Sequence, residues 1–147
     1  MMLAGEQKIP APPSRVWFLL TDETSLARLL PGCEKLERKE ADSYHLTMKL
    51  GLGAMSGSYA GSVRLREQRP EERLRLTVES RGPWGFVHGD GTLELSEQNG
   101  ATLVRYAGEL QIGGTIASVG QRLLDSAARR VISQFFQNLS QQATAEY

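Results

Sequence analysis

The chain is 147 residues long, enough for one domain that buries a substantial core. Seventeen lysines and arginines balance seventeen aspartates and glutamates, so no basic excess points to nucleic acid, and none is expected as a partner. The single cysteine, Cys33, excludes an internal disulfide. The distant His45 and His88 give no zinc spacing, and no apolar run approaches the roughly 18 residues of a membrane span.

Met1 to Lys8 carries no hydrophobic signal region, which predicts a cytoplasmic address. Leu3 to Ile9 reads as a first strand, stopped by Pro10-Ala11-Pro12-Pro13. Proline suits the first helical turn, so Arg15 to Leu20 is predicted to be a short helix. Thr21 and Asp22 can cap a second helix, Glu23 to Leu30, and Pro31-Gly32 ends it.

From Cys33 to about Ile112 the period becomes two, the spacing of a pleated strand. Tyr44, Leu46, Met48 and Leu50 share one parity, as do Tyr59, Gly61, Val63 and Leu65, then Leu74, Leu76, Val78 and Ser80, and finally Val104, Tyr106, Gly108 and Leu110. One apolar and one polar face describe an antiparallel sheet covered on one side. Turn signals at Arg69-Pro70-Glu71-Glu72, Gly82-Pro83 and Asn99-Gly100 favour a meander. Phe86 falls on the polar parity, which a bulge near Gly85 would explain.

A helical run of about thirty residues opens at Gly113-Gly114-Thr115-Ile116 and rises about 1.5 Å per residue. Its apolar positions, from Ile116 and Val119 through Leu123 and Leu124 to Phe136 and Leu139, cover more than half its circumference. A helix on one sheet needs only about 100° of apolar face. The excess predicts a second contact: another subunit, a membrane surface or the two short helices. The element order β-α-α-β-β-β-β-β-β-α is α+β: a helix-grip domain over residues 1–147. In it a curved antiparallel sheet of about seven strands wraps the C-terminal helix.

Glycines on the apolar parity, Gly57, Gly61, Gly89, Gly91 and Gly108, either let the sheet bend or leave room for a ligand beneath the helix. Tyr59 and Tyr106 on that parity are core phenols bonded to backbone or hydrogen-bond donors to a ligand head group. The expected ligand-binding residues are Met48, Tyr59, Gly61, Val63, Val78, Tyr106 and Gly108 from the strands, and Leu123, Ala127 and Val131 from the helix. Trp84 and Phe86, near a strand turn, are expected to line or gate the mouth. Asp90, Glu94 and Glu109 take the outward parity, and no carboxylate pair or inward base is placed for catalysis, so no catalytic or metal-binding residue is assigned.

Ile9-Pro10-Ala11-Pro12-Pro13-x-Arg15-Val16-Trp17, Pro31-Gly32-Cys33-Glu34 and Gly57-Ser58-Tyr59-Ala60-Gly61-Ser62-Val63 carry a resemblance, continued by Gly113-Gly114-Thr115-Ile116-Ala117-Ser118-Val119-Gly120-x-Arg122-Leu123-Leu124-Asp125 and Gln134-Phe135-Phe136-x-Asn138-Leu139. Over essentially its whole length the chain resembles the carbon monoxide dehydrogenase G-subunit (CoxG) family, within the START, Bet v 1 and polyketide cyclase (SRPBCC) superfamily. The resemblance implies a non-catalytic protein with a hydrophobic cavity for a quinone or lipid and no covalent cofactor. It also implies a molybdenum hydroxylase of the carbon monoxide dehydrogenase type as partner, and peripheral contact with the inner face of the membrane. Gly82-Pro83-Trp84-Gly85 departs from a more glycine-rich stretch in relatives, and many relatives continue into a tail implicated in membrane attachment. Two other functions fit the same fold: a polyketide cyclase or dehydratase-like enzyme, which needs polar groups inside the cavity, and a recruitment or maturation factor acting through an exposed helix face.

Overall fold

In the computed structural model, residues 1–145 are described; residues 146 and 147, the end of the expected domain, lie outside the described residues. Seven strands form one antiparallel sheet in the order β1-β7-β6-β5-β4-β3-β2. They are β1 (Met2–Ile9), β2 (Cys33–Glu40), β3 (Ser43–Leu50), β4 (Gly57–Arg69), β5 (Arg73–Gly82), β6 (Gly85–Gln98) and β7 (Ala101–Gly113). From β2 to β7 the sheet is a meander, and β1 closes onto β7 with Gly5 opposite Tyr106. Asn99 and Gly100 both take positive φ, 52° and 83°, as a tight hairpin turn between right-twisted strands requires.

The alternation sets the parity as expected. Leu46, Val63 and Val104 are buried on the inner face, with Met48 and Leu76 packed against the same core. Arg64, Glu94 and Arg105 are exposed on the other face. A one-residue slip would reverse every one of these positions, so the register is strongly fixed.

Helix α1 (Pro13–Thr21) starts with proline in its first turn and buries Val16, Leu19 and Leu20. Helix α2 (Glu23–Leu29) is capped by Asp22, whose Oδ2 accepts from the Ser25 backbone N–H at 3.1 Å and the Ser25 hydroxyl at 2.8 Å. Both pack against the last helix, α3 (Gln121–Thr144). Asn138 donates to the Leu29 carbonyl at 3.1 Å and Arg15 to the Gln142 carbonyl at 3.1 Å. These bonds anchor the C-terminal half of α3, where Phe136, Leu139 and Ala143 are buried.

The long helix starts later than its apolar pattern suggests. Thr115–Val119 forms a separate 3-10 turn, and Gly120 takes φ 96° before Gln121 opens α3. That conformation is open to glycine and strained for other residues, so Gly120 breaks the run. Ile116 and Val119 therefore lie outside the helix. The inward face also differs: Leu124 is 6% exposed, whereas Leu123 is 44% exposed.

Candidate functional site: an apolar groove under the last helix

The inner face of the sheet and the middle of α3 bound an open groove of about 240 Å³. Leu76 and Val78 of β5, Gly89, Gly91 and Leu93 of β6, and Tyr106, Gly108 and Leu110 of β7 line one wall. Val131, Ile132, Phe135 and Phe136 of α3 line the other, with Leu3, Leu30 and Pro31 at the sides. Asp90, Thr92, Ala107 and Glu109 also border it, but they alternate out of phase with the inward residues and reach the groove through their backbone.

The register explains where the space comes from. Leu76, Gly91, Gly108 and Leu3 form one inward row across four strands, and Val78, Gly89 and Leu110 form the next. The glycines in these rows differ physically. A Cβ at Gly108 would lie 2.9 Å from the Asp90 carbonyl oxygen and from the Gly91 Cα, so the Gly91–Gly108 pair permits close strand approach. A Cβ at Gly89 would meet only Leu110 Cδ1, at 3.6 Å, which is ordinary contact. Gly89 is thus a place in the wall where a side chain is missing and one would fit.

Tyr106 supplies a polar group on the inward parity of the groove. Its ring packs on Phe136 with centroids 5.0 Å apart and extends over Gly5, where a Cβ would lie 2.5 Å from the phenol oxygen. Glycine at position 5 is what makes room for the tyrosine. Asp90, by contrast, is turned to the outer face. Arg75 donates to it through Nε at 2.8 Å and through Nη2, and these hydrogen bonds hold its carboxyl below the usual carboxylate range. The groove wall is accordingly apolar and uncharged on its inward parity. Among the described residues no group of three or more His, Cys, Asp or Glu side chains could hold a metal ion.

Of the residues expected from the sequence, Val78, Tyr106, Gly108 and Val131 line the groove. The others stand elsewhere, each for a local reason. Val63 is wholly buried in the main core, and Met48 packs against it. Tyr59 is fully buried with its ring over Gly82; burial pushes its pKa up, and its hydroxyl has no hydrogen-bond partner among the described residues. At Gly61 a Cβ would drive into the Glu79 carbonyl oxygen, so this glycine serves strand packing and not ligand space. Trp84 sits in the β5–β6 turn, where its indole N–H donates to the Ser56 carbonyl at 3.2 Å. Phe86 pairs in unbroken register with Arg81 and Gly113. There is no bulge between these strands; the ring stays on the outer parity and covers Gly113, where a side chain would collide with it. Leu123 points to solvent, and Ala127 is half-buried without bordering the groove. Cys33 is half-buried beside the core, and burial raises its thiol pKa, as expected for a packing residue.

Phe135, Phe136, Ile132 and the Leu30-Pro31 corner are wall residues that the sequence does not single out, although all but Pro31 stand in it as apolar positions of a helix. Gly89 and Gly91 do carry a signal, as inward glycines within a strand pattern.

The family model of the carbon monoxide dehydrogenase G-subunit (CoxG) matches residues 5–144. The chain belongs to the CoxG family. Solved structures agree on the fold of this CoxG-family chain. A conserved protein from Geobacillus kaustophilus superposes with a TM-score of 0.92 at 27% identity, over 97% of this chain and 95% of that one. A protein from Chromobacterium violaceum gives a TM-score of 0.73 at 20% identity, over 99% of both chains. A START superfamily protein from Mycobacterium smegmatis gives a TM-score of 0.74 at 8% identity, over 97% of this chain and 96% of that one. Among curated proteins the chain has no match. The CoxG-family chain therefore has a START-like helix-grip fold, and no helix among its described residues is long and apolar enough to cross a membrane.

Proposed function

We propose that the protein binds a lipophilic small molecule, a quinone or a lipid-like compound, in the groove between the sheet and α3. In this reading it serves as an accessory protein to a molybdenum hydroxylase of the carbon monoxide dehydrogenase type, on the cytoplasmic side of the membrane. The observation that carries the proposal is the groove itself: a wall apolar and uncharged on its inward parity, with Tyr106 among its lining residues. Such a site favours a ligand with an apolar body and a neutral hydrogen-bond acceptor, since a phenol donates to a carbonyl while its ring packs on carbon. Among the described residues no lysine, arginine or histidine lines the groove, so a carboxylate would enter at a cost in desolvation.

The volume refines the reading. At about 240 Å³ the groove lies just below the roughly 300–1,000 Å³ of pockets that enclose drug-sized ligands. It suits a ring-sized head or one stretch of tail, with the rest of a long molecule leaving through the open side. Among the described residues the cyclase-like alternative finds no carboxylate or histidine side chain on the groove's inward parity. Asp90 faces outward onto Arg75, and His88 lies on the outer parity with its ring 4.9 Å from that of Phe86.

The test is titration with a short-chain naphthoquinone and, separately, with a fatty acid of similar size. Saturable quinone uptake with a much weaker response to the fatty acid supports the reading. Preference for the fatty acid removes the neutral hydrogen-bonding head from the reading, and no uptake of either removes the reading itself.

A further inference from the structure

The outer face of the sheet, opposite the groove, holds a second concavity where β4 turns into β5. It measures about 310 Å³, and Arg69, Glu72, Arg73, Glu94, Ser96 and Arg105 supply its polar lining. That volume meets the low end of the roughly 300–1,000 Å³ of small-ligand pockets. Backbone bonds fix its rim. The Glu72 N–H donates to the Arg69 carbonyl at 2.9 Å and closes the turn, and the Leu95 N–H donates to the Glu72 carbonyl at 2.8 Å and seats the turn against β6.

The register concentrates cations at this place. After the irregularity between Arg66 and Arg69, Arg69 stands directly opposite Arg73. Like charges directly opposite each other on a sheet repel. Arg73 is in turn opposite Glu94, and Glu94 opposite Arg105, so one row crosses four strands. Glu94 does not neutralise its neighbours. Arg105 pairs instead with Glu6, at 3.1 Å from Nη2 to Oε1, and among the described residues Arg69, Arg73, Glu72 and Glu94 join no ion pair. The Arg73 Nε–H is buried and has no hydrogen-bond partner among the described residues. A buried donor without an acceptor is costly, most of all on a charged group. Arg69 and Arg73 are thus an opposed cation pair with an unmet donor and no counter-charge.

We propose that this pocket binds a small phosphate ester that carries hydroxyl groups. The phosphate sits between Arg69 and Arg73, since a guanidinium matches its oxygens with paired hydrogen bonds. Glu94, next in the row, accepts from a hydroxyl on the rest of the ligand, which separates such an ester from bare phosphate. The pocket and the groove lie on opposite faces of the sheet, so this site does not rest on the groove-binding reading.

The experiment is calorimetric titration of the full chain, in low-salt buffer free of phosphate, with glucose 6-phosphate, inorganic phosphate and glucose. Glucose 6-phosphate is expected to bind saturably at one per chain, inorganic phosphate more weakly, and glucose not at all. Arg73→Gln and Arg69→Gln are each expected to weaken glucose 6-phosphate binding by about tenfold or more. Arg64→Gln, which alters an outer-face arginine outside the pocket, is expected to keep it. Arg64 and Arg69 are exposed, so their variants should melt with the parent, and their comparison does not depend on whether Arg73→Gln folds. Glu94→Gln is expected to tighten inorganic phosphate by removing a like charge, and to narrow the preference for the ester. No saturable binding of glucose 6-phosphate overturns the proposal. So does a loss in Arg64→Gln equal to that in Arg69→Gln, which would mark the binding as general charge attraction, and so does glucose binding as tightly as its phosphate.

Discussion

Replacing Gly89 by leucine tests the groove from inside. A Cβ there meets only Leu110 Cδ1, at 3.6 Å, so the substitution begins without a backbone clash. The four added carbons, taken at about one water volume each (~30 Å³), occupy on the order of 120 Å³. That is a large part of a groove of about 240 Å³. The effect on stability has opposing terms. Burying new carbon stabilises by about 0.8 kcal/mol per group, and removing a strand glycine adds roughly 0.5–1 kcal/mol. Overpacking costs about 1–3 kcal/mol if Leu110 or Phe135 must shift. The melting temperature is therefore expected to hold or rise, while quinone affinity falls more than tenfold, about 1.4 kcal/mol or more. Gly89→Val is the smaller companion, with an intermediate loss. Gly61→Leu is the contrast: its Cβ collides with the Glu79 carbonyl oxygen, so it is expected to unfold the sheet and not to fill the groove. Differential scanning fluorimetry and fluorescence titration read both effects. A Gly89→Leu protein that folds and binds quinone like the parent would refute the assignment of the ligand to this groove.

Three further outcomes are expected. Leu124→Ala should cost about 2–5 kcal/mol as a buried truncation, whereas Leu123→Ala should stay within about 0.5 kcal/mol; equal effects in thermal melts would show that the helix face is misassigned. Tyr106→Phe should leave stability nearly unchanged and weaken quinone binding by about 0.5–1.5 kcal/mol, measured by titration, if the phenol donates to the ligand. The Asp90–Arg75 pair should add a small acid-side pH dependence. Asp90 has a lowered pKa in the folded state, so its contribution is present above the ordinary carboxylate value of about 3.8 and is lost as pH falls through the lower folded value. With side chains 37% and 42% exposed, water screens the pair, and the contribution should be small. Asp90→Asn should flatten that part of the stability profile in acid titration followed by circular dichroism.

The strands were legible because each inner residue alternates with an outer one, and a sheet covered on one side enforces that alternation over many residues. Asn99-Gly100 was equally readable, since few other pairs accept two positive φ values. The site was less so, because the same inward parity serves several purposes. Val63 and Val78 look alike in sequence, yet Val63 lies in the solid core and Val78 borders the groove. Gly61 and Gly89 also look alike; one admits a neighbouring carbonyl and the other leaves space. Which is which depends on how the sheet coils, a property of all seven strands together. On α3, Leu123 and Leu124 are adjacent apolar residues, and the packing of the helix on its neighbours, which the apolar pattern alone does not give, decides that Leu124 turns inward. Phe86 broke the alternation for a reason local to Gly113, whose bare backbone its ring covers on the outer face.

The most direct measurement of the central claim is mass spectrometry of solvent extracts from protein purified natively without detergent, parent beside Gly89→Leu. A lipophile with a neutral carbonyl-bearing head, approaching one per chain in the parent and strongly depleted in the variant, is the expected result. No lipophile in the parent, or the same amount in both proteins, would contradict ligand binding in the groove.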